Sequence, residues 1–205
     1  MSAVERKQIP TSDISATHAR QISALKDKSL LKRLESEWGT VRRSSAERLG
    51  QIKELEKSLT PGSLSRADLT SGRELFRKTC SACHRLFGEG RTIGPELTGA
   101  NRRNLHYLVS NIVDPSAAVP ADFRQATVVT VNGRVITGAV SQRTDSVVTI
   151  QTANGEVRLR SEDVEKLTIS PQSMMPDGQL DQMKSQDVID LIKYLRTTEQ
   201  VEMAQ

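Results

Sequence analysis

Five residues, Cys80-Ser81-Ala82-Cys83-His84, hold both cysteines of the chain and one of its three histidines. Three chemistries use a cysteine pair at this spacing. A redox dithiol of the thioredoxin type needs a strand-helix-strand setting, and the flanks here read as helix. A zinc site needs four ligands; only His18 and His106 remain, unpaired in the sequence. Adjacent Cys83 and His84 are also awkward joint ligands for one tetrahedral ion. The third chemistry is covalent haem attachment. Two thiols on one helical turn add to the two vinyl groups of the porphyrin, and the histidine that follows turns its imidazole to the iron.

An iron held this way takes a second axial ligand on its other face. A methionine thioether serves, and as a soft neutral donor it favours the ferrous state. Met174 and Met175 lie in "QSMMPDG", ahead of the last helical stretch, with Pro176 stiffening the loop. Met175 is the expected ligand and Met174 its alternative; Met1, Met183 and Met203 read as core filler or surface. An iron-bound imidazole donates its other N–H to a second group, commonly a carbonyl. "GPEL" at 94–97 places the rigid Pro95 where its carbonyl can accept.

The elements that must position these groups follow from periodicity. Residues 12–59 read as three helices, the first capped by Ser12 or Asp13 and the third by a Ser44/Glu47 capping box. Leu49, Ile52, Leu55 and Leu59 form a stripe on the third, and "TPGS" at 60–63 reads as a turn and boundary. "RADLTSGRELFRKTC" is a helix leading into the cysteines, and "RLFGEGRTIGPELTGA" a glycine-rich loop. "NRRNLHYLVSNIVD" is a helix with Asn101 as its expected cap. From about Phe123 to Ile169 the apolar period becomes two. "RQATVVTV", "RVITGAV", "SVVTIQT", "EVRLR" and "VEKLTI" are five short strands, with Asn132-Gly133 and Asn154-Gly155 as hairpin turns. A final helix, "SQDVIDLIKYLRT", has Ser185 as its expected cap.

Together, "CSACH", "GPEL", "MMP" and "LIKYL", with Gly72 and Phe76 ahead of them, resemble the pattern of class I c-type cytochromes. More closely, residues 38–198 resemble the planctomycete-type haem-binding domain found at the C-terminal end of large secreted dehydrogenase-like proteins. The resemblance implies a class I cytochrome c helical fold, mainly α, interrupted by a small five-stranded β-barrel-like module and preceded by N-terminal helices. It divides the chain into a helical lead-in (1–66), a discontinuous haem domain (67–119 with 171–198), a β insert (120–170) and a tail (199–205). First and last helices cross, with Gly72 allowing close approach and Phe76 packing near Tyr194. One haem c is held covalently by Cys80 and Cys83, with His84 and Met175 as axial ligands and Pro95 as the carbonyl partner of His84. Arg91, Arg102 and Arg103 are propionate partners or solvated surface groups, and His106 a polar helix residue.

The implied function is not enzymatic: single electrons pass between a dehydrogenase-type donor and a respiratory acceptor. A ligand sensor or peroxidase-like protein with a displaceable methionine is the rival, and a binding module built on the β insert a third reading. Aromatics are 3% of the 205 residues, as expected where a porphyrin fills part of the core. The net charge of +4 is spread among acids, with no basic run or interleaved aromatics, so nucleic acid is not an expected partner. No stretch is long and apolar enough to span a bilayer. Attachment of haem to such a motif takes place outside the cytoplasm, so a periplasmic or other extracytoplasmic location is expected. No export signal stands at Met1, as in a mature or partial form. Oligomeric state is left open.

Overall fold

The computed structural model describes residues 1–203. In chain order the elements are α1 (Ser2–Glu5), α2 (Ala16–Ala24), α3 (Lys28–Glu37), β1 (Gly39–Val41), α4 (Ala46–Ser58), α5 (Pro61–Ser65), α6 (Leu69–Thr79), β2 (Arg85–Leu86), β3 (Glu89–Gly90) and α7 (Leu105–Val113). Then come β4 (Ala118–Pro120), β5 (Arg124–Thr130), β6 (Val135–Arg143), β7 (Val147–Thr152), β8 (Gly155–Arg160), β9 (Val164–Ser173) and α8 (Ser185–Leu195). Helices and a five-stranded sheet share the chain, so it is mixed α and β more than mainly helical. The contacts form two compact units, residues 1–43 with 115–175 and residues 44–114 with 176–203.

In the first unit, Asp27 starts α3 by accepting from the N–H groups of Ser29 and Leu30, which would otherwise lack partners. Leu34 and Trp38 are buried with Ala19 and Ala118, and the Trp38 indole N–H donates to the Ile14 carbonyl at 2.7 Å. Gly39 then turns with φ +141°, and any Cβ there would lie 2.2 Å from the Val119 carbonyl oxygen. That close approach lets β1 pair antiparallel with β4. The sheet runs β8-β7-β6-β5-β9, all antiparallel neighbours. Its inward side chains, Val128, Ile136, Val148 and Ile150, form a separate small core. Gly138 crosses so near β7 that a Cβ would sit 2.4 Å from the Gln151 carbonyl oxygen. The register shifts between Val140 and Gln142, which bends β6 and curls the sheet. No pairing joins β8 to β9 among the described residues, so the five strands make an open curled sheet, not a closed barrel. At the β7–β8 turn, Ala153 and Asn154 are the central pair, and Gly155 already faces Thr152 across the ladder.

In the second unit, α6 packs across α8. A Cβ on Gly72 would lie 2.2 Å from the Asp190 carbonyl oxygen and 2.7 Å from the Tyr194 Cβ. Only glycine permits this crossing. The Phe76 and Tyr194 rings meet at 5.8 Å, tilted by 50°, a favourable aromatic geometry. Around them Ile52, Leu59, Leu64, Leu86, Leu108, Val109, Leu191 and Ile192 complete the core. Thus α4 and α5, expected as part of a lead-in, pack in this core. "TPGS" is a helix start, with Pro61 in the first turn and Thr60 as the cap. Four expected caps move, three of them in this unit. Ser45, not Ser44, accepts from Arg48 N–H to open α4. Asn104, not Asn101, opens α7, because residues 101–104 form a turn that carries Arg102 inward. Helix α8 begins at Ser185 itself, and its Asp187 carboxylate accepts from Lys184 N–H. In the first unit Ser15, with non-helical backbone, caps α2 by accepting from His18 N–H; Asp13 lies upstream in a short 3-10 turn, and the Ser12 side chain is outside what the structure describes.

Candidate functional site

Helix α6 brings the cysteines to their place. Its start is fixed by Asp68, whose carboxylate accepts from Thr70 and Ser71 N–H and whose own N–H donates to buried Asp190. Its end is one extra turn. The Cys80 carbonyl accepts from both Cys83 N–H (3.1 Å) and His84 N–H (2.9 Å). Cys80 and Cys83 are therefore one turn apart, with His84 directly beyond. Both thiols are free. Burial pushes the Cys80 thiol up to about 12; it also raises Cys83, there opposed by the Arg91 charge. Neither is an activated thiolate, which a redox dithiol would need. Among the described residues no three His, Cys, Asp or Glu side chains cluster as a zinc cage requires.

The segment after the histidine folds back over this turn. Residues 85–90 are not plain loop but a tight hairpin, β2 against β3. Its central residues Phe87 and Gly88 both have positive φ, +50° and +82°, the backbone that matches strand twist in a two-residue turn. Phe87 N–H donates to the Thr98 hydroxyl at 2.9 Å. Three backbone bonds then lay the next stretch along the cysteine turn: Arg91 N–H to the Ser81 carbonyl, Gly94 N–H to Cys83, and Leu97 N–H to Arg85.

His84 is the focus of these bonds. Its Nδ1 lies 2.9 Å from the Pro95 carbonyl oxygen. An N–H at Nδ1 donating there leaves the Nε2 lone pair for a metal. Burial pulls the imidazole pKa down, with the Pro95 carbonyl acting the other way, so the ring is neutral and ligand-competent at neutral pH. Gly94 forms the floor under the ring: a Cβ there would be 2.7 Å from Cε1, 3.0 Å from Nδ1 and 3.2 Å from Nε2. The sequence contains this glycine in "GPEL", but nothing in its spacing reveals the contact. The site suits a haem attached at one edge and ligated by one histidine: two neutral thiols on one turn, then an imidazole fixed in one tautomer.

Cys80, Cys83, His84 and Pro95 are thus brought together in the second unit. Met174 and Met175 close the first unit beyond β9, where Met174 N–H donates to the Phe123 carbonyl and Met175 N–H to the Ser173 hydroxyl. Both are half-buried. Arg102 is not a surface group. It is 5% exposed and donates to the carbonyls of Leu97, Thr98, Leu195 and Thr197. Its guanidinium stacks 5.1 Å from the Phe87 ring centre, a cation–π contact. One buried cation therefore ties the proline loop to the end of α8. Glu89 does similar work for α6, pairing with Arg73 and Arg77 at 3.0 Å each. Arg91 and Arg103 are exposed, and His106 pairs with Glu56 at 2.8 Å. Among the described residues no helix is long and apolar enough to cross a membrane.

The sequence model of the family described as cytochrome c matches residues 69–199, well over half the chain. No curated protein matches it.

Proposed function

Because the chain belongs to the cytochrome c family, whose members carry electrons on haem c, we propose that it is a mono-haem carrier. It passes single electrons from a dehydrogenase-type donor protein to a respiratory acceptor in the periplasm or an equivalent compartment. In this reading residues 67–119 and 171–198 make the haem domain and 120–170 an inserted module. Cys80 and Cys83 each give a sulfur–carbon bond, the thiol hydrogen passing to the neighbouring vinyl carbon. His84 offers Nε2 as the proximal ligand while Pro95 holds the proton at Nδ1. Met175 is the distal ligand, with Met174 as the alternative within the doublet. Bound there, haem supplies a one-electron ferric/ferrous couple.

The observation that carries the reading is the fixed imidazole: a 2.9 Å contact from Nδ1 to the Pro95 oxygen over the Gly94 floor. With His84 and Met175 both holding a bound iron, no position would be left for a substrate, which favours electron transfer over bond chemistry. The net charge of +4 steers acidic partners at low ionic strength.

The test uses chain exported with a working haem-attachment system. Haem should stay with the protein through acid–organic extraction, and the Cys80→Ala, Cys83→Ala double variant should retain none. The reduced spectrum should change only slowly under carbon monoxide, because a methionine ligand must leave the iron first. Extractable haem in the parent would refute the covalent assignment, and rapid carbon monoxide binding would replace the carrier with a sensor or peroxidase-like protein.

A further inference from the structure

The loop after the methionines is held at both ends within the second unit. Towards α8, Leu180 packs against the main core, Gly178 turns the chain with φ +75°, and Asp181 N–H donates to the Gly178 carbonyl at 3.1 Å. At its start, Asp177 accepts an ion pair from Arg48 Nη2 at 3.1 Å. Arg48 comes from α4, and its other terminal nitrogen donates to Gln51 at 3.1 Å, which directs the guanidinium. Helix α4 is itself fixed, with Ile52 and the capping Leu59 beyond its end buried and Glu56 bonded to His106 on α7. It lies before the stretch that matches the cytochrome c family, so the cationic partner of this ion pair comes from outside that stretch and the acidic one from within it. Asp177 is two residues beyond Met175.

We propose that Arg48 is a positioning residue whose ion pair with Asp177 latches the methionine loop and keeps the iron's distal position closed to small diatomic ligands. The proposal rests on the assignment of Met175 as distal ligand. Loops of this kind open locally, without unfolding the core behind them. Swinging Met175 away requires the loop start to move, and the ion pair is its side-chain tether there, beside the backbone bonds of Met174 and Met175. The side chains are 25% and 54% exposed, so the tether is a weak one and sensitive to salt. Its loss raises the open population roughly two- to five-fold.

The experiment uses full-length holoprotein. It reads the sulfur-to-iron charge-transfer band of the ferric form and the carbon monoxide binding rate of the ferrous form. Arg48→Gln and Asp177→Asn should each bind carbon monoxide about two- to five-fold faster than the parent. Arg48→Lys should keep the parent rate, and the Arg48→Asp, Asp177→Arg double variant should return towards it. Added salt should speed the parent and leave Arg48→Gln unchanged, a difference that general loosening of the fold would not produce. A parent with the sulfur band and an Arg48→Gln rate equal to its own would overturn the latch and leave the Met175 assignment standing. A parent without the band would overturn that assignment, and the latch with it.

Discussion

Replacing Gly94 by alanine adds a single methyl beneath the His84 ring. The new carbon would start 2.7 Å from Cε1 and 3.0 Å from Nδ1. Carbon atoms rest about 3.5 Å apart or more, so the ring or the loop must yield by about 0.8 Å. The loop is pinned by the bond from Gly94 N–H to the Cys83 carbonyl, so the ring moves. Its 2.9 Å contact to the Pro95 oxygen stretches past useful hydrogen-bond length. Such a bond contributes about 1 kcal/mol. It makes the imidazole a better donor, which favours ferric iron, so its loss raises the reduction potential by at most about 40 mV, taking 59 mV per tenfold for one electron. Spectroelectrochemical titration of parent and variant measures the shift. Gly99→Ala is the control, since a Cβ there meets nothing within 4 Å. A Gly94→Ala potential indistinguishable from the parent and from Gly99→Ala would refute the argument that Gly94 and Pro95 set the histidine.

Gly72→Ala should destabilise although alanine is the better helix former by about 1 kcal/mol. The clash is with the Asp190 backbone of α8, and overpacking of this kind costs roughly 1–3 kcal/mol or more; thermal unfolding should show Tm lowered by about 5–10 °C, and an unchanged Tm would mean the helices cross elsewhere. In haem-free chain the Cys80 proton is held to about 12 when folded, against 9.0 for an ordinary thiol. The folded state then binds more protons than the unfolded state, so stability should fall as pH rises from about 9 towards 12; denaturant titrations across that window check the sign, with Cys80→Ala falling less steeply, since Cys83 and Tyr194 are raised too. Residues 125–169 should be replaceable by a short turn, because Arg124 and Ser173 are already paired neighbours. Electron-transfer rates with partner proteins should change more than the haem potential, and the reverse pattern would place the sheet's influence on the iron.

The parts of this molecule that repeat or follow chemical rules of local sequence are legible without a structure. "CSACH" is one of these, as are the alternating strands 124–173 and the apolar spacing of α7 and α8. The caps show how far that reaches. Ser44 and Ser45 are chemically equal candidates, and only the start of the helix at Ala46 decides between them. Asn101 and Asn104 are likewise equal until Arg102 turns inward to four carbonyls, two of them more than 90 residues away. The positive φ of Phe87 gives no composition signal, since glycine and asparagine are the residues that usually announce it. The Gly94 floor and the Arg48–Asp177 pair arise from tertiary approach, which no period encodes.

The clamp made by Arg102 has a consequence in time. A chain that emerges N-terminus first presents Cys80, Cys83 and His84 long before residues 195–197, whose carbonyls the clamp requires. At roughly 5–20 residues per second of synthesis, the interval between the histidine and the end of α8 is on the order of several to twenty seconds. Throughout it the groove at Gly72 has no partner and the proline loop has no anchor at its far end. The attachment motif is therefore present in the chain before the last helix that anchors the proline loop beside it.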